Sequence, residues 1–195
     1  MDFESKKIIC FIDCETTGLD SNYHEIIEFY GIKYLESNDR LIFIEDLHVK
    51  IKPVHEDRID PEAIKVNGYS KYKWDKAIQN NVAASSIASF LQNHILCGHN
   101  VQFDVAFLSS LLNDHGFMGV LSRNHIDTKT LAYEHLVPCG LKGLSMDRIR
   151  NFMGWEVCRT HSARQDAIDV FKLYRATKKS SYLKRLFWRF RYSLS

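Results

Sequence analysis

Residues 7–19 read Lys-Ile-Ile-Cys-Phe-Ile-Asp-Cys-Glu-Thr-Thr-Gly-Leu. The short apolar run at 8–12 is typical of a buried β-strand. Side chains alternate between the two faces of a strand, so Asp13 and Glu15 project together from one face, at the end of the run. Taken alone, the pair fits an acidic strand edge in water as well as a site that binds a cation.

The chain around this strand predicts one α/β domain with a mixed sheet. Its first third is rich in Ile, Val, Phe and Tyr between turn residues, which predicts an antiparallel meander. Strands and helices then alternate. The predicted strands are 7–15, 25–35, 41–52, 95–98 and 125–127, and the predicted helices are 61–66, 83–92, 101–116, 128–135, 145–153 and a last one from 162.

Composition supports a single folded domain, which we place at residues 1–178. The chain has 195 residues, of which 45% are hydrophobic and 26% charged. Its formal net charge of +2 hides an asymmetry, because residues 148–195 hold twelve Lys and Arg against three acids. An acidic body with a basic end can combine a cation site with a surface for a polyanion.

Two further acids are predicted to face the same interior. Asp104 lies in the first turn of a helix that Asn100 is expected to cap, on the face shared with Phe107. Asp166 borders the apolar stripe of the last helix, whereas Asp169 is expected to be solvated. Uncompensated buried carboxylates are costly, and carboxylates suit Mg²⁺ or Mn²⁺. Two such ions could act on both oxygens of a phosphodiester displacement.

His161 lies in a Thr-His-Ser loop just before the last helix. An imidazole there could accept a proton from an attacking water near neutral pH. Without the acids, this residue would be interpreted as an ordinary surface histidine.

Three segments together resemble the motifs of the DEDDh family, the DnaQ-like 3′-to-5′ exonucleases. They are Phe11–Leu19, Gly98–Asp104 and His161–Asp166, and the resemblance extends over roughly residues 7 to 176. It implies a ribonuclease H-like fold with a mixed five-stranded sheet. It also implies that two ions are held by Asp13, Glu15, Asp104 and Asp166, and that His161 is the general base.

The resemblance further implies a pocket for the 3′-terminal nucleotide, formed by Thr16, Thr17, Gly18 and Leu19, with Asn100 supporting the site. The implied reaction is hydrolysis of terminal phosphodiester bonds at single-stranded or frayed 3′ ends of DNA, with release of nucleoside 5′-monophosphates. Proofreading or repair is the implied setting, and a DNA polymerase subunit is a candidate partner. The Glu15–Leu19 segment is more similar to polymerase proofreading subunits than to oligoribonuclease.

Two other functions remain open from the sequence. One is an RNA-trimming 3′-to-5′ exoribonuclease of the same fold, which would act on RNA 3′ ends and distinguish its substrate by the 2′-hydroxyl. The other is a non-catalytic module that docks on nucleic acid or on a polymerase.

Residues 179–195 form a basic, aromatic tail with an amphipathic pattern. It could be a helix packed on the domain, a nucleic-acid grip, or a docking helix for a partner or an anionic membrane surface. The residues that would contact nucleic acid are Lys184, Arg185, Trp188, Arg189 and Arg191.

The sequence predicts a cytoplasmic protein without a membrane span. No apolar run reaches the 18 or more residues of a span, and none fits a signal peptide. The five cysteines lack a C-x-x-C spacing, which indicates reduced thiols.

Overall fold

The computed structural model describes residues 6–38, 40–156 and 162–178. Its five strands form one sheet in the order β3-β2-β1-β4-β5. The first three strands pair antiparallel, and β4 and β5 run parallel to β1. The predicted meander and mixed sheet are therefore confirmed. The strands are β1 (Lys7–Thr16), β2 (Ile26–Ser37), β3 (Arg40–Lys50), β4 (Ile95–Gly98) and β5 (His125–Asp127).

Six α-helices flank the sheet within the described residues, joined by turns and two short 3₁₀ segments. Residues of α2 and α3 share one apolar cluster with β1, and residues of α4, α5 and α6 share another. The sheet is thus covered on both faces. The helices are α1 (Pro61–Asn67), α2 (Asn80–Leu91), α3 (Val101–Asp114), α4 (Thr128–His135), α5 (Met146–Met153) and α6 (Ala163–Lys178).

The central strand β1 is buried on both faces, which explains its unbroken apolar run. Cys10 and Ile12 pack in the cluster that contains α2 and α3, whereas Ile9 and Phe11 pack in the cluster that contains α6. Because a strand alternates, Asp13 continues the face of Phe11 and is directed toward α6.

The short helix α1 begins at the predicted residue and ends at Asn67, one residue after the predicted end. The Asp60 side chain accepts a hydrogen bond from the backbone N–H of Glu62 at 2.8 Å, and Pro61 occupies the first turn. Gly68 caps the end of the helix, and its φ of 65° lies in the left-handed region that glycine adopts without strain.

Two local expectations were wrong. Helix α2 begins at Asn80, three residues before the predicted start, because its first turn is polar and lies outside the apolar periodicity. Asn100 precedes α3 but does not cap it through its side chain. Its φ of 71° is left-handed, and its backbone N–H donates to Oδ1 of Asp127 at 3.1 Å. A side-chain cap normally requires an extended backbone.

No helix among the described residues has both the length and the apolar character needed to cross a bilayer. The predicted tail, 179–195, lies outside the described residues, so its separation from the domain stays a prediction.

Replacing Phe11 with alanine is expected to destabilise the fold by about 3–5 kcal/mol, the usual effect of removing a buried aromatic side chain. Phe11 is fully buried, with its ring centroid 5.3 Å from those of both Phe171 and Tyr174. Urea unfolding measures the change. Tyr72→Ala is the control, because Tyr72 is 88% exposed and its loss should shift stability by no more than about 0.5 kcal/mol. A similar small shift for Phe11→Ala would contradict this packing.

Candidate active site

The carboxyl end of β1 extends beyond its parallel neighbour. Pairing with β4 ends at Phe11 opposite Cys97, whereas pairing with β2 continues to Thr16. In the part of the chain that the structure describes, no strand fills the space on the β4 side of the last residues of β1. Asp13 and Glu15 lie on this extension, where Asp13 is half-buried and Glu15 is 8% exposed.

Helix α6 brings a third acid to the same place. Asp166 lies in its first turn, is 8% exposed, and donates its backbone N–H to the carbonyl of Ser162 at 3.0 Å. One carboxylate oxygen each from Asp13, Glu15 and Asp166 lie within 4.8 Å of one another. These three residues, which we call the carboxylate triad, are far apart in sequence and meet only in the fold.

Asp104 lies next to the carboxylate triad and is not a member of it. It is 3% exposed in the first turn of α3, and its Oδ1 accepts a hydrogen bond from the backbone N–H of Cys14 at 3.0 Å. That contact fixes the carboxylate against β1 between Asp13 and Glu15. Of the four acids predicted to hold metal, the structure thus brings three together and places the fourth against the strand that carries two of them.

Desolvation and mutual repulsion raise the pKa values of these acids. Burial raises the pKa of Asp13 well above its usual value, and repulsion from Asp104, Asp166 and Glu15 raises it further. Burial also raises the pKa of Asp104 to about 7, an effect that the hydrogen bond from Cys14 opposes. Both shifts show that negative charge at this end of the sheet is unfavourable without a cation.

The carboxylates of the triad are suitable ligands for a hard divalent cation. Mg²⁺ and Mn²⁺ prefer oxygen ligands, and the triad offers three carboxylates in one place. A cation bound there would remove the repulsion that raises the pKa of Asp13.

A buried arginine that pairs with Asp166 was not anticipated. Arg150, on α5, is 1% exposed and pairs with Asp147, Asp166 and Asp169. The prediction that Asp169 is solvated was wrong, because its side chain is fully buried and bonded to Arg150 at 2.9 Å. The sequence held one indication of this network, because Arg150 lies between the buried positions Ile149 and Phe152. A basic residue at a buried position needs an acidic partner.

The turn after β1 leads from the triad into an open cleft of about 310 Å³. Thr16 Oγ1 donates to the carbonyl of Gly18 at 2.6 Å, and a side chain on Gly18 would clash with the ring of His24. Leu19 is 82% exposed at the tip of the turn. The cleft is lined by Cys14, Glu15, Thr16, Gly18, Leu19, Asp60, Glu62, Ala63, Val66, Asn67 and Phe103.

Some predicted contact residues lie elsewhere, and some wall residues were missed. Thr17 is buried behind the turn, where its Oγ1 accepts from the backbone N–H of Glu25 at 2.9 Å. Asn100 bonds to Asp127 and does not line the cleft. Val66 and Phe103 line the cleft, although nothing in the local sequence distinguishes them from ordinary core residues.

His161 lies outside the described residues, so its role as general base stays a prediction. The same holds for the proposed contacts of the tail, which are Lys184, Arg185, Trp188, Arg189 and Arg191.

Comparisons with known proteins agree on one family. The exonuclease family model (RNase_T) matches residues 10–174. A PolC-type DNA polymerase III of Thermotoga petrophila is 29% identical over 157 residues, which cover 80% of this chain and 11% of the relative. The DNA polymerase III subunit epsilon of Buchnera aphidicola is 32% identical over 114 residues, which cover 55% of this chain and 46% of the relative.

Solved structures show the same architecture. E. coli exonuclease I, in a complex with a dT13 oligonucleotide, superposes with a TM-score of 0.75 at 18% identity, covering 93% of this chain and 42% of that one. The predicted ribonuclease H-like fold is therefore confirmed. In each of these comparisons the chain spans less than half the length of its relative.

Asp104→Asn is expected to make stability less dependent on pH when divalent cations are removed by EDTA. The folded protein holds the Asp104 proton up to a pKa of about 7, whereas the unfolded chain releases it near 3.8. The wild type therefore loses stability as pH rises from about 4 to 7, and the free energy of unfolding of the variant relative to the wild type should rise by a few kcal/mol over that range. Urea unfolding at fixed pH values measures this.

Asp114→Asn, at the exposed end of the same helix, is the matched control and should show no such trend. A difference between wild type and Asp104→Asn that is constant from pH 4 to 8 would contradict the assigned electrostatics.

Proposed function

The chain belongs to the exonuclease family, and from this premise we propose that it hydrolyses the 3′-terminal phosphodiester bond of single-stranded or frayed DNA and releases nucleoside 5′-monophosphates. The observation that carries the proposal is the carboxylate triad at the mouth of an open cleft, with Glu15 belonging to both. A reaction centre and a place for the end of a strand are thereby adjacent.

We assign the carboxylate triad and Asp104 to the binding of two divalent ions, Mg²⁺ or Mn²⁺. When bound, two such ions stabilise the charge that develops on the attacking and leaving oxygens of a phosphodiester displacement. Asp13 and Glu15 are held by the sheet and Asp166 by α6, so the acids are positioned before substrate arrives. Preorganised charge of this kind needs no rearrangement during the reaction.

His161 is the proposed general base, which would make the chain a DEDDh member. It precedes Asp166 by five residues, and Asp166 lies in the first turn of α6. A histidine tethered this closely to an acid of the triad can accept the proton of the attacking water at neutral pH.

The cleft is proposed to receive the 3′-terminal nucleoside. Leu19, Val66 and Phe103 provide apolar and aromatic surface for a base, which stacks on such side chains without regard to its identity. Thr16 and Gly18, which follow Glu15 in the chain, form part of the wall of the cleft. The terminal phosphodiester would then lie at the metals while the base occupies the cleft.

Most of the relatives' names favour DNA over RNA and suggest a setting, although one relative, from Shewanella denitrificans, is a ribonuclease T by name and is 28% identical over 156 residues. Subunit epsilon and the PolC-type protein are parts of DNA polymerase III by name, and exonuclease I was solved with a DNA oligonucleotide. We therefore propose proofreading or repair of DNA 3′ ends in association with a polymerase. A cytoplasmic location fits the reduced thiols at Cys10, Cys14, Cys97 and Cys139.

A 5′-labelled single-stranded DNA oligonucleotide is expected to shorten stepwise from its 3′ end when Mg²⁺ or Mn²⁺ is added. An RNA oligonucleotide of matched sequence is expected to shorten more slowly. Asp13→Asn should reduce the rate at least roughly a hundredfold, because it removes a charge from the centre that stabilises the transition state. Asp114→Asn should behave as the wild type. If neither DNA nor RNA is shortened with either metal, the proposed activity is wrong.

Leu19→Ala is expected to raise KM for single-stranded DNA by about tenfold while leaving folding unchanged. The side chain is 82% exposed, so it becomes buried only when a nucleotide covers it. Burying a leucine would contribute roughly 1.5–3 kcal/mol to the free energy of binding. Steady-state kinetics measures KM, and thermal unfolding measures stability. Met118→Ala, another exposed apolar residue away from the cleft, is the control. An unchanged KM would show that the terminal base binds elsewhere.

A further inference from the structure

Arg150 is the largest fully buried polar side chain near the candidate active site, with 1% of its surface exposed. It donates from three different nitrogens to three different carboxylates. Nε bonds to Asp169 Oδ2 at 2.9 Å, one terminal nitrogen bonds to Asp147 Oδ1 at 2.8 Å, and the other bonds to Asp166 Oδ1. A buried arginine needs such partners, because an unpaired charge in the interior is strongly unfavourable.

The three partners place the guanidinium between two helices. Asp147 lies one turn before Arg150 on α5, whereas Asp166 and Asp169 lie one turn apart on α6. The guanidinium is planar and rigid, so three bonds in different directions fix both its position and the carboxylates around it. Lys172 also bonds to Asp169, at 2.8 Å. The negative charge of Asp169 is therefore balanced by two basic side chains.

Asp166 is the partner that connects this network to the carboxylate triad. A carboxylate has two oxygens, so Asp166 can accept from Arg150 with Oδ1 and offer its other oxygen to a cation. We propose that Arg150 is a positioning residue that holds the Asp166 carboxylate in its metal-binding orientation. This inference rests on the proposed function, because it takes Asp166 to be a metal ligand.

The direction in which cation affinity changes when Arg150 is removed distinguishes a positioning role from a purely electrostatic one. Arg150 carries a positive charge, so if it acted on the site only through electrostatics, its removal would strengthen the binding of a cation. If it orients Asp166, its removal weakens binding, as happens when a hydrogen-bond partner of a metal ligand is lost. The two effects run in opposite directions and can be measured without substrate.

Calorimetric titration of the full chain with Mn²⁺ alone tests the proposal. Arg150→Met should weaken Mn²⁺ binding by roughly 10- to 100-fold. Arg148→Met, two residues away on the exposed side of the same helix, is the matched control and should bind as the wild type. Equal or tighter binding by a folded Arg150→Met protein, as judged by circular dichroism, would overturn the proposal.

Arg150→Lys decides the question if the methionine variant does not fold. Lysine keeps the charge that compensates Asp169, but a single ammonium group cannot reproduce three divergent bonds. We expect Mn²⁺ binding several-fold weaker than in the wild type, with partial recovery of exonuclease rate at high Mn²⁺. Wild-type affinity in Arg150→Lys would refute the positioning role.

The same titration distinguishes this inference from the proposed function. A wild-type chain that binds no Mn²⁺ would contradict both. A wild-type chain that binds Mn²⁺ and shortens DNA, with Arg150→Met unchanged in Mn²⁺ affinity, would contradict only the role of Arg150.

Discussion

Three carboxylates with oxygens within 4.8 Å of one another repel strongly where water is scarce, and the rest of the site is arranged around that repulsion. Within the described residues, the fold relieves part of it by pairing Asp166 with Arg150. It keeps the pKa of Asp13 high and leaves the space open to an external cation. Such a centre contributes little to stability on its own, so the surrounding packing must hold it together.

That packing comes from the two-sided burial of β1. The strand is the middle element of the sheet, and apolar clusters cover it on each face. Phe11 is fixed by aromatic contacts to α6, the helix that also carries Asp166. The same contacts that stabilise the core therefore set the distance between Asp13 and Asp166. Arg150 adds a polar connection from α5 to that helix, through Asp166 and Asp169.

Local chemistry made much of the fold predictable from the sequence. The alternation of side chains in β1 predicted that Asp13 and Glu15 share a face. Asp60 and Pro61 predicted the start of α1, and Gly68 predicted its end. What sequence reasoning missed depends on contacts between distant elements. Asp169 looks like a solvent-facing helix residue until α5 brings Arg150 against it, and Phe103 looks like a core residue until α1 leaves a cleft beside it. Asn100 was assigned as a side-chain cap from its residue type, although its left-handed backbone rules this out.

The proposed metal centre holds two divalent ions at the carboxylate triad and Asp104. Anomalous diffraction at the manganese edge, from crystals soaked in Mn²⁺, tests it most directly. We expect two anomalous peaks roughly 3.5–4 Å apart, surrounded by the carboxylates of Asp13, Glu15 and Asp166. Crystals of a folded, Mn²⁺-saturated chain that show no peak at these three residues would contradict it.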